Sequence, residues 1–335
     1  MREQRHVLRR PRVYYELEIQ RLDNLKDAVP TQASACGKVI LIGEHAVLYG
    51  ADAIALPLIQ RRVNLSLIPS TERQVRIDGV ELASNDLNVI DDAFRALDVE
   101  PFPLRIEGSS QVLLKAGLGS SAAFCIALLR LISQSVGKNV PPHQLAEMGK
   151  TLEQRFHGKA SGLDPTVVAY EKVVHFNIHT ATSLIDVKGS GSQPLWHFCL
   201  IDSGERASTK RMVEKSAWYF TSGNITGKLK DFNALTRLAK QGLESGQYKA
   251  VAQAMNEASQ LLTDVGIMTR KLQEIIETAH SLKLLGAKVT GAGGGGCVLG
   301  LLDPTCVEKQ KQAMIGTYGI ERVINFTLGP AESYA

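Results

Sequence analysis

Nine residues, Lys115-Ala116-Gly117-Leu118-Gly119-Ser120-Ser121-Ala122-Ala123, carry the chain from a glycine turn straight into an apolar stretch. Backbone at Gly117 and Gly119 can approach a ligand closely, and a helix beginning near Ser120 points its unpaired N–H groups and positive dipole end at the same spot. Such a turn is an anion cradle suited to phosphate. Ser120 and Ser121 can each cap the helix or offer a hydroxyl to phosphate or Mg²⁺. An ordinary strand-to-helix loop fits the same residues. The turn lacks the Gly-Lys-Ser/Thr ending of a P-loop, and no Gly-x-Gly-x-x-Gly stands where a Rossmann turn needs it, so the rest of the chain must decide.

A chain of 335 residues with 44% hydrophobic content can bury a sizeable core and divides into two domains on length alone. The formal charge of +4 comes from balanced acids and bases, without a Lys/Arg block interleaved with aromatics after the N-terminus, so nucleic acid is not an expected partner. No stretch reaches the roughly 18 apolar residues of a membrane span. Five cysteines without C-x-x-C spacing suit a reducing cytoplasm, and Cys125 and Cys297 read as buried thiols. Residues 1–30 carry scattered Arg and acidic residues and no apolar signal core; they read as a solvated extension, partly helical around Tyr14 to Leu25.

The first domain, 31–190, opens with Val39-Ile40-Leu41-Ile42, a buried strand that leads into Gly43-Glu44-His45. Ala53 to Pro69 reads as two strand passes, with further strands at Gln74 to Leu82 and Leu104 to Gly108 and a helix at Asp86 to Leu97. Ala122 to Val136 is apolar almost all round, as in a helix buried between layers. His143 to His157 reads as a helix broken by the glycines after it, leaving Asp164 on a turn. A turn residue or cap is the plain reading of Asp164 in isolation. The second domain, 191–335, starts with a strand near Leu195 to Asp202. Helices follow at Ser208 to Phe220, Phe232 to Ser245, Tyr248 to Leu262 and Thr269 to Leu285. Strands at Ala287 to Thr290 and Cys297 to Leu302 then flank Gly291-Ala292-Gly293-Gly294-Gly295-Gly296, where backbone must press against a ligand or other backbone.

Three motifs in this order resemble the GHMP kinases, the superfamily of galactokinase, homoserine kinase, mevalonate kinase and phosphomevalonate kinase: Ala35 to Gly50 (ACGKVILIGEHAVLYG), the turn at Gly117 to Ala123, and Lys288 to Cys297 (KVTGAGGGGC). Gly43-Glu44-His45-Ala46-Val47 with Gly50 has the form found in mevalonate kinases. Glu153 followed by His157-Gly158-Lys159-Ala160-Ser161-Gly162-Leu163-Asp164 agrees in spacing, and Ile201-Asp202-Ser203-Gly204 with Thr209 resembles the family's substrate-side strand and loop. Cys36, Lys115 and Ala160 depart from the family pattern, each replacing a residue that does no chemistry.

The resemblance implies an α+β fold of two domains, with the active site in the cleft between them and a ferredoxin-like C-terminal domain. It also implies ATP-dependent phosphorylation of the primary hydroxyl of mevalonate. On that basis Asp164 is the expected base and Lys38 its cationic partner, although Lys38 alone could be a solvated residue at a strand start. Lys115, Gly117, Leu118, Gly119, Ser120, Ser121 and Ala122 are expected around the ATP phosphates. Ser121 and Glu153 are expected to ligate Mg²⁺, and Glu44, His45, Thr209 and Gly293 to meet the acceptor. For His45 a buried structural role stands equal to substrate contact. The expected partners are ATP and mevalonate, with neither nucleic acid nor membrane, and a homodimer is left open. Another alcohol acceptor, or a metabolite sensor without turnover, is the alternative.

Overall fold

A computed structural model describes residues 31–68, 70, 73–82, 87–157, 160–189 and 195–329. The extension at 1–30, with its expected helix, lies outside the described residues, as do Gly158 and Lys159.

The first part of the chain runs β1 (Thr31–Ile42), a 3-10 turn (Ala46–Tyr49), β2 (Ala53–Ile68), β3 (Gln74–Ile77), β4 (Val80–Glu81), α1 (Asn88–Ala96), β5 (Arg105–Ser110), α2 (Ser120–Ser135), α3 (Pro142–His157), α4 (Leu163–Tyr170), β6 (Val174–Phe176) and β7 (Ser183–Leu184). These strands form a sheet of order β4-β3-β5-β2-β6-β7, with β1 paired to β2. Where two strand passes were expected, β2 is one strand of 16 residues. Its register with β1 breaks: Cys36 pairs with Arg62 but Gly37 with Leu58, so Ile59, Gln60 and Arg61 fall outside it. A bulge of this kind bends a strand, and beyond the bend β2 changes neighbour, pairing with β6 through its first residues and with β5 through its last.

Helix α2 has the burial its composition predicts. Ala122, Ala123, Leu129, Leu131 and Ile132 are all solvent-free, with β1 and β2 on one side and α1, α3 and α4 around the rest. Asp164 differs from expectation. It lies within the first turn of α4, because Gly162 in a left-handed conformation starts a helix at Leu163.

The second part runs β8 (Trp196–Asp202), α5 (Thr209–Thr221), α6 (Ile225–Ser245), α7 (Tyr248–Asp264), α8 (Arg270–Ser281), β9 (Gly286–Thr290), β10 (Cys297–Leu301), α9 (Val307–Tyr318) and β11 (Val323–Leu328). Its sheet is antiparallel with order β11-β8-β10-β9, the βαββαβ arrangement of a ferredoxin-like unit. Side-chain caps set several helix starts. Asn224 accepts from the Gly227 amide and starts α6 ahead of the expected Phe232, while Ser208 and Thr269 cap α5 and α8. Helix α8 stops at Ser281, short of the expected Leu285. Neither α9 nor β11 was anticipated; α9 buries only Gln310 and Met314 and so shows little apolar period.

Alternation along β8 divides the interior. Phe198 and Leu200 face α6 and α7 in a core continuous with that of the first sheet, whereas Cys199 and Ile201 join α5, α8 and α9 on the other face. The two sheets thereby share one apolar core, which holds their loops against each other.

Candidate active site

The end of β1 and the glycine turn are pressed together. The Lys38 amide donates to the Leu118 carbonyl at 2.9 Å, and a Cβ on Gly37 would lie 3.0 Å from that same oxygen. Gly119 adopts φ +71° and is the N-cap of α2, with no side chain capping it. Its missing Cβ is also space that Lys38 uses, since a methyl there would come within 2.9 Å of Lys38 Cγ. Neither Ser120 nor Ser121 is the cap, as the sequence had allowed; both belong to the first turn of α2, the end of a helix that favours an anion.

Lys38 is only 2% exposed, and its ammonium lies 2.9 Å from Asp164 Oδ2 and donates to the Gly117 carbonyl at 3.2 Å. Asp164 sits at the start of α4, another helix without a side-chain cap, where the dipole favours a carboxylate. Its side chain remains 30% exposed, open to the cavity. Beside it, Ser121 Oγ donates to Glu153 Oε1 at 3.0 Å. Burial, and secondly the charge of Asp164, push the Glu153 carboxyl up to about 8, against the Ser121 hydrogen bond and Lys38, which pull it down. A bound cation would favour its ionised form. Among the described residues no cluster of three or more His, Cys, Asp or Glu forms a metal cage. The oxygen pair Ser121 and Glu153 suits Mg²⁺ completed by phosphate and water, because that ion keeps most of its positions for such ligands.

Glu44 and His45 follow β1, both buried. Glu44 Oε1 accepts from the fully buried Lys288 ammonium. His45 adopts φ +59°, a conformation that few residues other than glycine take and that recurs at functional sites. Its Nε2 donates to the Ala292 carbonyl at 2.9 Å, so the neutral ring accepts on Nδ1 from the Ser216 hydroxyl at 2.7 Å. Burial lowers its pKa and keeps it neutral. His45 thus binds the glycine loop after β9 to α5 while one edge lines the cavity.

The glycine loop meets the glycine turn backbone to backbone. A Cβ on Gly117, at φ +82°, would lie 2.8 Å from the Thr290 carbonyl, and one on Gly291 would lie 2.7 Å from Gly117 Cα. Gly293, expected at the acceptor, instead packs on Ile267 and does not line the cavity; Gly291 and Ala292 do. Ala122 is likewise buried away from it.

A cavity of about 1120 Å³ is lined by Lys38, Glu44, His45, Lys115, Gly117, Leu118, Gly119, Ser120, Ser121, Glu153, Asp164 and Thr209 among others. Sequence reasoning missed its apolar wall. Ile77, Val80 and Leu82 on the β3–β4 hairpin, with Leu114, Phe124 and Phe156, line the far side, and Val80 and Leu114 are 69% and 71% exposed. Large apolar side chains left in water around a cleft suit a flat, apolar-faced ligand such as a nucleotide base. Their only sequence signal is an apolar residue just after the hairpin turn. Arg206, in a bidentate pair with Asp202 at 2.7 Å, and Lys210 line the side nearest α5.

The family model described as GHMP kinases N terminal domain matches residues 87–172, and that described as GHMP kinases C terminal matches 239–320. A mevalonate kinase of Methanothermobacter thermautotrophicus is 31% identical over 288 residues, covering 83% of this chain and 92% of the relative. One from Pyrococcus furiosus is 30% identical over 305 residues, covering 80% and 88%. Among solved structures, L. major mevalonate kinase in complex with R-mevalonate superposes with a TM-score of 0.75 at 20% identity, over 91% of this chain and 97% of that one, a likeness of fold.

Proposed function

The chain belongs to the GHMP kinases, and from that premise we propose that it transfers the γ-phosphoryl group of ATP to the primary hydroxyl of mevalonate, giving phosphomevalonate. The choice of acceptor is supported by relatives named mevalonate kinases at about 30% identity. The observation that carries the chemistry is the contact of Lys38 with Asp164 at 2.9 Å, between the uncapped starts of α2 and α4. Residues 31–190 and 191–335 act in this reading as two domains that close around the cleft.

Phosphoryl transfer asks for an in-line nucleophile, neutralised phosphate charge and an acceptor for the hydroxyl proton. Asp164 accepts that proton as the hydroxyl oxygen bonds to the γ-phosphorus and the bond to the bridging oxygen of ADP breaks. Lys38 holds Asp164 in place and stabilises negative charge on the transferring group. Amides of the turn from Gly117 to Ser121 receive the phosphates, and the apolar wall of Ile77, Val80, Leu82 and Leu114 receives the base. Ser121 and Glu153 would hold Mg²⁺, which when bound neutralises phosphate charge.

A coupled ADP-release assay across mevalonate, phosphomevalonate, galactose and homoserine tests the reading. Turnover with mevalonate exceeding the others is expected. Preference for another alcohol overturns the acceptor, and no turnover on any of them overturns the kinase assignment in favour of a sensor.

A further inference from the structure

Lys288 is an unusual residue to find without solvent in the middle of a strand. On β9 it is 0% exposed, and its ammonium donates to Glu44 Oε1 and, at 2.6 Å, to the carbonyl of Val289. Glu44 is 1% exposed and lines the cavity next to Lys38. Its second oxygen, Oε2, is buried and has no hydrogen-bond partner among the described residues. Buried polar atoms are nearly always satisfied, and one that is not marks a place where something else binds.

The neighbouring groups do not fill that role. Both ring nitrogens of His45 are engaged, by Ala292 and Ser216. The Lys38 ammonium is directed to Asp164 and Gly117. Burial pushes Glu44 up and Lys288 down, and the attraction between them opposes both shifts. Oε2 therefore accepts when Glu44 is ionised and can donate when the proton shared with Lys288 sits on it, and a hydroxyl, which has both capacities, suits either state. A carboxylate, which offers only acceptors, meets Oε2 favourably only in the second of these states.

We infer that Lys288 is a positioning residue for the acceptor: it clamps Glu44 through Oε1 and leaves Oε2 to hydrogen-bond a hydroxyl of the acceptor other than the one that is phosphorylated. The inference rests on the acceptor reading above and adds a second point of recognition to it. In mevalonate, a 3,5-dihydroxy acid, the group concerned is the hydroxyl on carbon 3. Because Lys288 comes from the C-terminal sheet and Glu44 from the end of β1, this contact exists only when the two parts of the molecule are docked.

The test compares kcat/KM for mevalonate with that for 5-hydroxy-3-methylpentanoate, which lacks only the carbon-3 hydroxyl, in wild type, K288M and E44Q/K288M. Wild type should prefer mevalonate by about 10- to 100-fold, the range for losing one hydrogen bond to a charged group. In K288M that ratio should fall at least about tenfold, through KM for mevalonate, with KM for ATP within about twofold of wild type. A Lys288 that merely stabilised the fold would reduce the amount of folded enzyme and leave the ratio alone. Should K288M not fold, E44Q/K288M, which removes both charges together, supplies the same ratio. A ratio equal to that of wild type in the folded variant overturns the inference by itself. Wild type inactive on mevalonate overturns the acceptor reading and this inference with it.

Discussion

Thr290 is hydrogen-bonded twice to Ile40 through a single oxygen. Its Oγ1 accepts from the Ile40 amide at 3.0 Å and donates to the Ile40 carbonyl at 3.1 Å. A side chain at the end of β9 thus takes the place of a neighbouring strand for β1, in a setting where both residues are buried. The next residue is Gly291, which lies on Gly117, so the same junction sets the glycine loop against the phosphate turn.

Thr290→Val keeps the shape and removes both bonds, leaving the Ile40 amide and carbonyl without that partner. Each stranded group should cost about 1–3 kcal/mol. Chemical denaturation should report the loss, and KM for ATP should rise with it as the glycine loop loosens. A midpoint unchanged from wild type would show that Ile40 finds other partners.

Asp164→Asn keeps size and cannot take the hydroxyl proton. General-base assistance is worth about 10² to 10⁴ in rate, so kcat should drop by a factor in that range while nucleotide affinity survives. Lys38→Met should also lower kcat strongly. Because the two side chains touch, the double variant should lose less than the product of the single losses. Near-wild-type turnover in Asp164→Asn would leave Asp164 as a helix-start residue and nothing more.

Glu153→Gln should raise the Mg²⁺ concentration needed for half-maximal rate and lower kcat. The thermal midpoint near neutral pH should hold or increase, since a buried carboxyl that must take up a proton on folding is replaced by a neutral amide of the same size. Superimposable Mg²⁺ titrations of variant and wild type would count against Glu153 as a metal ligand.

Burial holds the folded-state pKa of His45 below its ordinary value of 6.5. The unfolded chain therefore binds a proton that the folded one refuses as pH falls through 6.5, so stability is full above that value and declines below it. His45→Gln should make thermal midpoints between pH 7.5 and 5 less steep. His197, whose pKa burial also lowers, leaves part of the slope in place. Identical slopes would mean that folding leaves the protonation of His45 unchanged.

Much of this site is local, and local features are legible in a sequence. The glycine turn before an apolar helix, the caps at Ser208 and Thr269 and the alternation along β8 each depend on neighbours within a few residues. The same holds for the three motifs, which is why they brought the family and the identity of Lys38, Ser121, Glu153 and Asp164 into view together. Tertiary structure alone decided which of these groups touch. Lys38 meets Asp164, Ser121 meets Glu153 and Lys288 meets Glu44 because a bulge between Cys36 and Gly37 bends the first sheet and two sheets share one core. It also placed Gly291 rather than Gly293 at the cleft and built the apolar wall from Val80 and Leu114. The physical reason is range: propensity, capping and periodicity act over a turn or two of chain, whereas these contacts join segments distant in sequence and follow from strand register and layer packing, which no short stretch of residues encodes.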